Sequence, residues 1–236
     1  MIYESQAELR DRIEELTPRR VYGVVPVCED NSSYMSIHGG AVLRLAGHDY
    51  FVMGDTKEGR FGIDDQPKFW VKYAVDLETG QQKIIKLVFH EQFLTTLAGI
   101  TMRCRRNPDK ESAFLEAARG NARFMQGVTV RDAAGNNVRI IDFIRGKSLY
   151  NHLAELTLDH ETYFATELTG VMEQVLACMR ALAELHRQGH HHGDVRNDHI
   201  IVESGTGLFR WIDFDYEVNF ADYDVWSMGN IITYVA

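Results

Sequence analysis

The hydrophobic pattern of this chain changes its period part-way along, and this change constrains the fold more than any other feature. Across residues 21–88, β-branched and aromatic residues come in short runs separated by turn signals such as Ala-Gly-His-Asp at 46–49, which is the pattern of antiparallel strands. Across residues 158–188, apolar residues recur every three or four positions, which predicts one long helix that Gly189 ends. Strands followed by helices predict an α+β fold rather than alternating βαβ units.

The shorter segments fit the same division. Ser5 and Glu8 have the spacing of a capping box, so residues 5–16 are predicted to form a helix that Pro18 ends. Residues 109–125 return to helical spacing, and two strand-like runs follow around an Ala-Gly-Asn-Asn turn. After Gly189, the pattern predicts short strands at 199–202 and 208–212 and a last helix from Asp224 onward.

Composition and charge narrow the function classes. With 25 Lys+Arg residues against 34 Asp+Glu, the formal net charge is −9, so we predict neither nucleic acid nor a membrane as a partner. The three cysteines are odd in number and have no CxxC spacing, which argues against a disulfide framework or a zinc site. No apolar stretch has the length of a signal peptide or a membrane span, so we expect a cytoplasmic location.

The densest group of chemistry-bearing residues is HHHGDVRNDHIIV at 190–202, followed after one hairpin by WIDFDY at 211–216. Asp194 and Asp213 stand there beside strand signals. Carboxylates at such junctions can accept a proton from a substrate hydroxyl or ligate a hard cation. An isolated Asp of this kind is more often a turn residue or a helix cap, so the order of the surrounding motifs decides between the two.

That order resembles the eukaryotic-like (Hanks-type) protein kinase superfamily, with this chain as a divergent bacterial-type member. The segment LAELHRQGHHHGDVRNDHIIV resembles the kinase helix that runs into the catalytic loop HRDLKxxNxxL. WIDFDY stands in the place of Asp-Phe-Gly, with Phe214 as its packing aromatic, and DVWSMGNII resembles the following Asp-x-Trp-Ser-x-Gly helix, whose Asp224 would brace the catalytic loop. The three matches occur in the family's order over the last third of the chain.

The resemblance implies a role for each matched position of the loop. Asp194 would be the catalytic base, and His192 would be the structural histidine of the loop. Arg196 would take the place of the phosphate-contacting lysine. His199 would stand where the family has its metal-binding asparagine, and Asp213 would be the main metal ligand.

The resemblance also implies upstream residues that contact the nucleotide. Lys86 in QKIIKLVF would hold the α- and β-phosphates of ATP. Its ion-pair partner would be Glu116, with Glu111 as the fallback.

A glycine loop and a hinge segment complete the implied nucleotide site. Gly59, Phe61 and Gly62 of KEGRFG resemble the loop that covers the phosphates. Backbone groups around Asp142 and Ile144, in IIDFIRGKSL, would pair with the adenine edge.

Several positions depart from the family pattern. His199 offers a nitrogen ligand, which favours manganese or zinc over magnesium. Asp215 replaces the glycine of Asp-Phe-Gly. Only eight residues, without Ser or Thr, separate Asp215 from Asp224, so no activation loop controlled by phosphorylation is expected. His-Gly-Asp at 192–194 also resembles the aminoglycoside and choline kinases.

Two further clusters have simple interpretations. Histidines 190–192 are adjacent, so they cannot all face one ion, and we do not expect them to form a metal cluster. The basic run Arg103, Arg105, Arg106 and Lys110 is expected to be a solvated approach to a helix, with an acidic or phosphate-bearing partner as the alternative.

The sequence therefore predicts a protein-kinase-like two-lobe fold and an ATP-dependent phosphotransferase. An extension with the first strands is expected at 1–50, a β-rich N-lobe at 51–144, and at 145–236 a helical C-lobe that is short or truncated after the last helix. The cofactors would be ATP with Mg²⁺ or Mn²⁺, and the acceptor would be a hydroxyl-bearing protein or small molecule. A Ser/Thr protein kinase is the leading hypothesis, and a pseudokinase and a small-molecule kinase are the alternatives.

Overall fold

The computed structural model describes residues 2–31, 33–60, 63–97, 99–220 and 222–236. The chain divides into two compact units. The β-rich unit comprises Met1–Phe89 and Gly127–Phe143, and the helical unit comprises His90–Gln126 and Ile144–Ala236. The α+β class predicted from the change of period is confirmed, with strands dominating the first unit and helices the second.

The described residues form six helices and thirteen strands. The helices are α1 (Gln6–Leu16), α2 (Pro108–Ala117), α3 (Leu149–Ala154), α4 (His160–Thr166), α5 (Leu168–Arg187) and α6 (Tyr223–Val235). The first nine strands are β1 (Val27–Cys28), β2 (Val42–Leu45), β3 (His48–Arg60), β4 (Ile63–Asp76), β5 (Gln82–Lys86), β6 (Gln92–Leu97), β7 (Ile100–Arg106), β8 (Gly127–Arg131) and β9 (Asn137–Asp142). The last four are β10 (Gly146–Ser148), β11 (Ile200–Glu203), β12 (Phe209–Trp211) and β13 (Tyr216–Val218).

The β-rich unit is built on one seven-stranded sheet in the order β1-β2-β3-β4-β5-β9-β8. All pairs are antiparallel except β1 with β2. Helix α1 begins as its capping box predicts, because Ser5 Oγ accepts a hydrogen bond from the Glu8 N–H. Its Leu9 and Ile13 are buried with Phe51 and Leu77, which fixes the helix on the sheet.

The helical unit contains α2 to α6 and two three-stranded sheets. One sheet has the order β10-β11-β12, and the other has the order β13-β7-β6. Helix α5 buries Val171, Val175, Cys178, Leu182 and Leu185, and all of these except Cys178 belong to the apolar stripe that the sequence predicts. Phe164, which was also expected in that stripe, is exposed. The predicted single helix at 158–188 is divided at Glu167 into α4 and α5. The Thr166 hydroxyl donates to the Thr162 carbonyl oxygen, a bond that bends a helix at this point.

Two segments differ from the sequence predictions in ways that matter for the site. The helix predicted at 109–125 ends at Ala117, because Gly120 follows with a φ of +77° that an α-helix does not accept. The β6–β7 hairpin before it was not predicted, and it pairs with β13 more than a hundred residues later. Residues 90–126, which the sequence assigns to the N-lobe, therefore lie in the helical unit.

No helix in the described part of the chain combines the length and the hydropathy needed to cross a bilayer.

Candidate functional site

The loop that carries Asp194 lies in the helical unit, between α5 and β11. The Asp224 carboxylate, in the first turn of α6, accepts hydrogen bonds from the N–H groups of His192 at 2.6 Å and Gly193 at 2.8 Å. Burial alone would raise the pKa of Asp224, but His192 and these hydrogen bonds hold it below its usual value. A charged carboxylate therefore braces the loop, as expected for Asp224.

Glycine is the only residue type that fits at position 193. Its φ is +82°, and a Cβ added there would lie 2.1 Å from the carbonyl oxygen of Tyr216. The Nζ of Lys110 donates to that same oxygen and, at 2.6 Å, to the carbonyl oxygen of His192. The loop is thus tied to β13 by a close backbone approach and by a lysine on α2.

The His192 ring forms the apolar support of the loop. It is fully buried and packs against Phe214 and Trp211 with ring centroids 4.1 and 5.1 Å apart. Burial lowers the pKa of His192 to about 3, so the ring is neutral at neutral pH. Its Nδ1 accepts a hydrogen bond from the backbone N–H of Asp194 at 3.3 Å, and His192 therefore orients the backbone of Asp194.

Asp194 and Asp213 meet on either side of the buried ring of His199. The Nδ1 of His199 donates to the Asp194 carbonyl oxygen at 2.8 Å and lies 3.6 Å from its carboxylate. The Nε2 lies 3.5 Å from Asp213 Oδ2 and accepts a hydrogen bond from Arg196 at 2.7 Å. Because Nδ1 carries the proton, the lone pair of Nε2 points toward Arg196 and Asp213. A metal ion next to the Asp213 carboxylate would take this lone pair in place of the hydrogen bond from Arg196.

The Asp194 carboxyl lies in an environment that suits proton transfer. Burial raises its pKa above the usual value, while His199 and Arg196 act in the opposite direction. Arg196 Nε lies 3.6 Å from Asp194 Oδ1 and its Nη2 lies 3.1 Å from Asp198. A carboxyl group with a raised pKa beside a cation is typical of groups that accept protons in active sites.

Asp213 has an unusual backbone conformation, with a φ of +68°. Non-glycine residues seldom adopt this region, and it costs roughly 1–3 kcal/mol when the surroundings enforce it. Here the next residue supplies the enforcement, because Phe214 is fully buried and stacks on Phe114 of α2 with centroids 3.4 Å apart. In this conformation the Asp213 carboxylate lies 3.5 Å from His199 Nε2.

Three buried carboxylates from separate elements form a further candidate for cation binding. One oxygen each of Glu111, Asp213 and Asp215 lies within 4.8 Å of the other two. Oxygen ligands of this kind suit a hard divalent cation. Glu111 is fully buried on α2, whereas Glu116 is exposed and ion-paired with Arg119 at 2.6 Å. Of the two glutamates that the resemblance offers, Glu111 is the one near the aspartates.

Asp215 replaces the glycine of the family motif and has a structural partner. Its carboxylate accepts a hydrogen bond from the buried guanidinium of Arg106, which also donates to the Tyr216 hydroxyl at 2.6 Å. Although burial disfavours the charge, the carboxylates of Asp215 and Asp213 raise the pKa of Arg106 above its usual value. The expected solvated basic run is therefore wrong for Arg106, which alternates with Met102 and Cys104 on the buried face of β7.

No protein-family model matches the chain. The death-associated protein kinase dapk-1 of Caenorhabditis elegans is 25% identical over 167 residues, which are 70% of this chain and 10% of that protein. The chain is similar to this nematode kinase. It spans about a tenth of the length of this curated relative.

A solved structure also shares similarity with this chain. The crystal structure of Rad53 residues 1–466 in complex with AMP-PNP matches with a TM-score of 0.45 and 17% sequence identity. The match covers 70% of this chain and 43% of that one.

The remaining positions implied by the kinase resemblance lie mainly in the β-rich unit. Lys86 is buried at the end of β5, where it pairs in register with Val71 and Arg139. Asp142 ends β9 and its carboxylate is ion-paired with Lys83 at 2.6 Å. Ile144 begins the second segment of the helical unit and is half-buried.

The implied glycine loop lies partly outside the described residues. Gly59 lies in β3. Phe61 and Gly62 fall outside the described residues. The assignment of these three residues to the loop that covers the phosphates therefore stays a prediction.

Sequence reasoning missed the supporting roles of Lys110 and Arg106. Lys110 is half-buried, and burial lowers its pKa to about 8. A signal for Arg106 was present, because Met102, Cys104 and Arg106 alternate with period two, as in a half-buried strand. No comparable signal marks Lys110, whose partners are backbone carbonyl groups about 80 and 106 residues away.

Proposed function

We propose that this chain is an ATP-dependent phosphotransferase of the protein kinase class, which transfers the terminal phosphate to a Ser/Thr hydroxyl. The observation that carries the proposal is the arrangement of Asp194 and Asp213 on either side of His199. Phosphoryl transfer requires positioning and charge neutralisation more than covalent help from the protein. The similarity to the nematode kinase supports the same reaction class.

The roles of the residues follow from their chemistry. Asp194 orients the acceptor hydroxyl and takes its proton, which its raised pKa favours. Asp213 and the Nε2 of His199 hold the divalent cation that, when bound, neutralises charge on the terminal phosphates. Lys86 and Arg196 supply further positive charge to the phosphates. Asp142 and Ile144 remain candidates for contacts with the adenine.

Transfer of labelled phosphate from ATP tests this proposal. We expect the purified chain to label itself or a generic protein substrate in the presence of Mg²⁺ or Mn²⁺. The Asp194→Asn variant should lose transfer by about a hundredfold or more, because the amide cannot accept the proton, while its nucleotide affinity changes little. Labelling by Asp194→Asn at the wild-type rate would overturn the role of Asp194.

The metal preference tests His199. A nitrogen ligand favours Mn²⁺ over Mg²⁺ more than an oxygen ligand does. We therefore expect the wild type to be more active with Mn²⁺, and His199→Asn to shift the Mn²⁺-to-Mg²⁺ activity ratio toward Mg²⁺. An unchanged ratio in this variant would argue against His199 as a ligand.

The two glutamates of α2 provide a matched pair of variants. Glu111 is buried next to Asp213 and Asp215, and Glu116 is exposed. Glu111→Gln should lower the transfer rate, whereas Glu116→Gln should leave it within about twofold of the wild type, since surface changes of this kind have small effects. The opposite ranking would favour Glu116 as the functional glutamate.

A small-molecule kinase is the second candidate, and one observation favours it. Strand β13 begins at Tyr216, directly after Asp215, and pairs with β7, so the chain has little room there for a platform that binds a protein substrate. The His-Gly-Asp sequence at 192–194 fits the same candidate. A panel of small alcohols and amines assayed by ATP consumption separates the two, because strong turnover with one of them would exclude a protein acceptor.

A pseudokinase would behave differently from both. It would be stabilised thermally by ATP with Mn²⁺, and it would transfer no phosphate to protein or to any member of the panel. Labelling above background that depends on Asp194 would exclude this alternative.

A further inference from the structure

A second group of metal-ligating side chains lies on the opposite side of the catalytic loop from His199. His186, in the last turn of α5, donates from Nε2 to Asp224 Oδ2 at 2.9 Å. The ring of His191, in the loop, lies 4.9 Å from the ring of His186. One ligand atom from each of His186, His191 and Asp224 lies within 4.8 Å of the other two.

An open cavity gives solvent access to this group. It has a volume of ≈ 570 Å³, and both His191 and Asp224 line it. His191 is exposed and its ring can rotate, whereas Asp224 is buried and fixed by the N–H groups of His192 and Gly193. An ion and its water ligands can therefore approach without displacing the core of the unit.

The three ligand atoms need only small movements to surround an ion tetrahedrally. Zinc–nitrogen and zinc–oxygen bonds of about 2.0–2.2 Å place neighbouring ligand atoms roughly 3.3 Å apart. His186 Nε2 and Asp224 Oδ2 are already closer than this, so the ion would separate them slightly, and rotation of the exposed His191 ring would bring in the third ligand. Nε2 of His186 would exchange its proton for the ion, with the ring taking the Nδ1–H tautomer.

We propose that His186, His191 and Asp224 bind a late first-row divalent cation, of which Zn²⁺ is the type, with water from the cavity as the fourth ligand. Two imidazoles and one carboxylate form a donor set that suits such an ion better than Mg²⁺. Of the three adjacent histidines at 190–192, only His191 takes part. The site does not depend on the proposed function, since binding of Zn²⁺ is measured without a phosphate donor.

The neighbouring charges are compatible with a cation at this place. Asp224 carries its negative charge because its pKa is held low. Lys110 lines the same cavity, but its ammonium is engaged with the carbonyl oxygens of His192 and Tyr216, and burial lowers its pKa to about 8. A bound ion would tie α5 and α6 to the backbone of His192 and Gly193, and so it would stiffen the loop.

The test measures metal binding directly. The full chain, freed of metal with a chelator, is titrated with Co²⁺ and Zn²⁺ in excess Mg²⁺, which occupies oxygen-only sites. In the His199→Ala variant, which has no nitrogen ligand next to Asp213, we expect one Co²⁺ per chain with the visible absorption of tetrahedral coordination, displaced by Zn²⁺. At a Zn²⁺ concentration a hundred times Kd, Tm should rise by about 5 °C.

Two adjacent histidines provide the variant and its control. Both His190 and His191 line the cavity, but only His191 belongs to the proposed set. His191→Ala should lose Co²⁺ affinity by at least about tenfold and also lose the tetrahedral spectrum, while His190→Ala should stay within about twofold of the wild type. Unfolding in the absence of metal checks that both variants fold equally well.

Three results would overturn the proposal. The first is no binding of Co²⁺ or Zn²⁺ in excess Mg²⁺. The second is equal affinity in His191→Ala and the wild type, which would place the ion elsewhere. The third is an equal loss of Co²⁺ affinity in His190→Ala and His191→Ala, which would mean that His191 is not the specific ligand.

Discussion

Replacing Gly193 with alanine tests how tightly the loop that carries Asp194 is held. The added Cβ would lie 2.1 Å from the carbonyl oxygen of Tyr216 and 3.3 Å from Lys110 Nζ, and the φ of +82° is strained for any residue with a side chain. The strained φ costs about 1–2 kcal/mol. Moving the Tyr216 carbonyl breaks its hydrogen bond to the Lys110 ammonium, which costs about 1.5–3 kcal/mol more. We expect a total destabilisation of roughly 3–5 kcal/mol.

Gly189→Ala is the matched control. Gly189 has nearly the same φ, +83°, but a Cβ added there meets no atom within 4 Å. It should therefore cost only the strain of about 1–2 kcal/mol. Urea unfolding and calorimetric melting compare the two variants, and the Tm of Gly193→Ala should be lower than that of Gly189→Ala by about 4–8 °C. Equal Tm values would refute the close approach of Gly193 to Tyr216.

Three further predictions concern buried ionisable side chains. Asp215→Gly, which restores the glycine of the kinase motif, should destabilise the protein by about 3 kcal/mol in urea unfolding. The reason is that the buried Arg106 loses its closest ion-pair partner. A neutral or stabilising effect on the free energy of unfolding would contradict this prediction. The pKa of His192 is about 3 in the folded state and near 6.5 in the unfolded state. Between these values the unfolded chain binds a proton that the folded chain does not. The free energy of unfolding should therefore fall as pH drops from about 6.5 to 3, by up to about 1.4 kcal/mol per pH unit. His192→Phe should flatten that part of the stability profile, and an identical profile would count against the low pKa. Asp55→Ala should cost about 3–5 kcal/mol, since Lys72 is fully buried against Asp55 at 2.5 Å; replacing both residues by Leu and Met should cost less than the single change.

The elements that the sequence predicted well are those with local signals. The helix from Ser5 was marked by its capping box and by Leu9 and Ile13 at helical spacing, and the structure has α1 there. The short strands after Gly189 appear as β11 and β12 within one residue of their predicted starts. The helix signal and the strand signals both depend only on residues that are close together in the sequence, so the sequence alone was enough to predict these elements.

The pairing of β13 with β7 lacked such a signal. Its register joins Arg106 to Tyr216 and Cys104 to Val218, and pairing across more than a hundred residues leaves no periodic mark in the sequence. The same holds for His186, His191 and Asp224, whose proximity results from the docking of α6 on the loop. Motif order singled out Asp194 and Asp213 as candidates but could not reveal these supports.

Glu111 illustrates a signal that was present and was given too little weight. Phe114 and Leu115 are the buried residues of α2, and Glu111 precedes them by three and four positions, so all three share one face of the helix. Glu116 follows Phe114 by two positions and therefore points elsewhere. Helical spacing relative to the apolar residues predicts the buried glutamate better than spacing to the next strand does.

Binding of ATP with Mn²⁺ tests the central claim most directly. Calorimetric titration of a non-hydrolysable ATP analogue with Mn²⁺ would compare the wild type with Lys86→Ala and Asp213→Asn, with circular dichroism confirming that the variants fold. We predict saturable binding by the wild type and a loss of about tenfold or more in each variant. Absence of binding by the wild type, or equal affinity in all three proteins, would contradict the assignment of this chain as an ATP-dependent phosphotransferase.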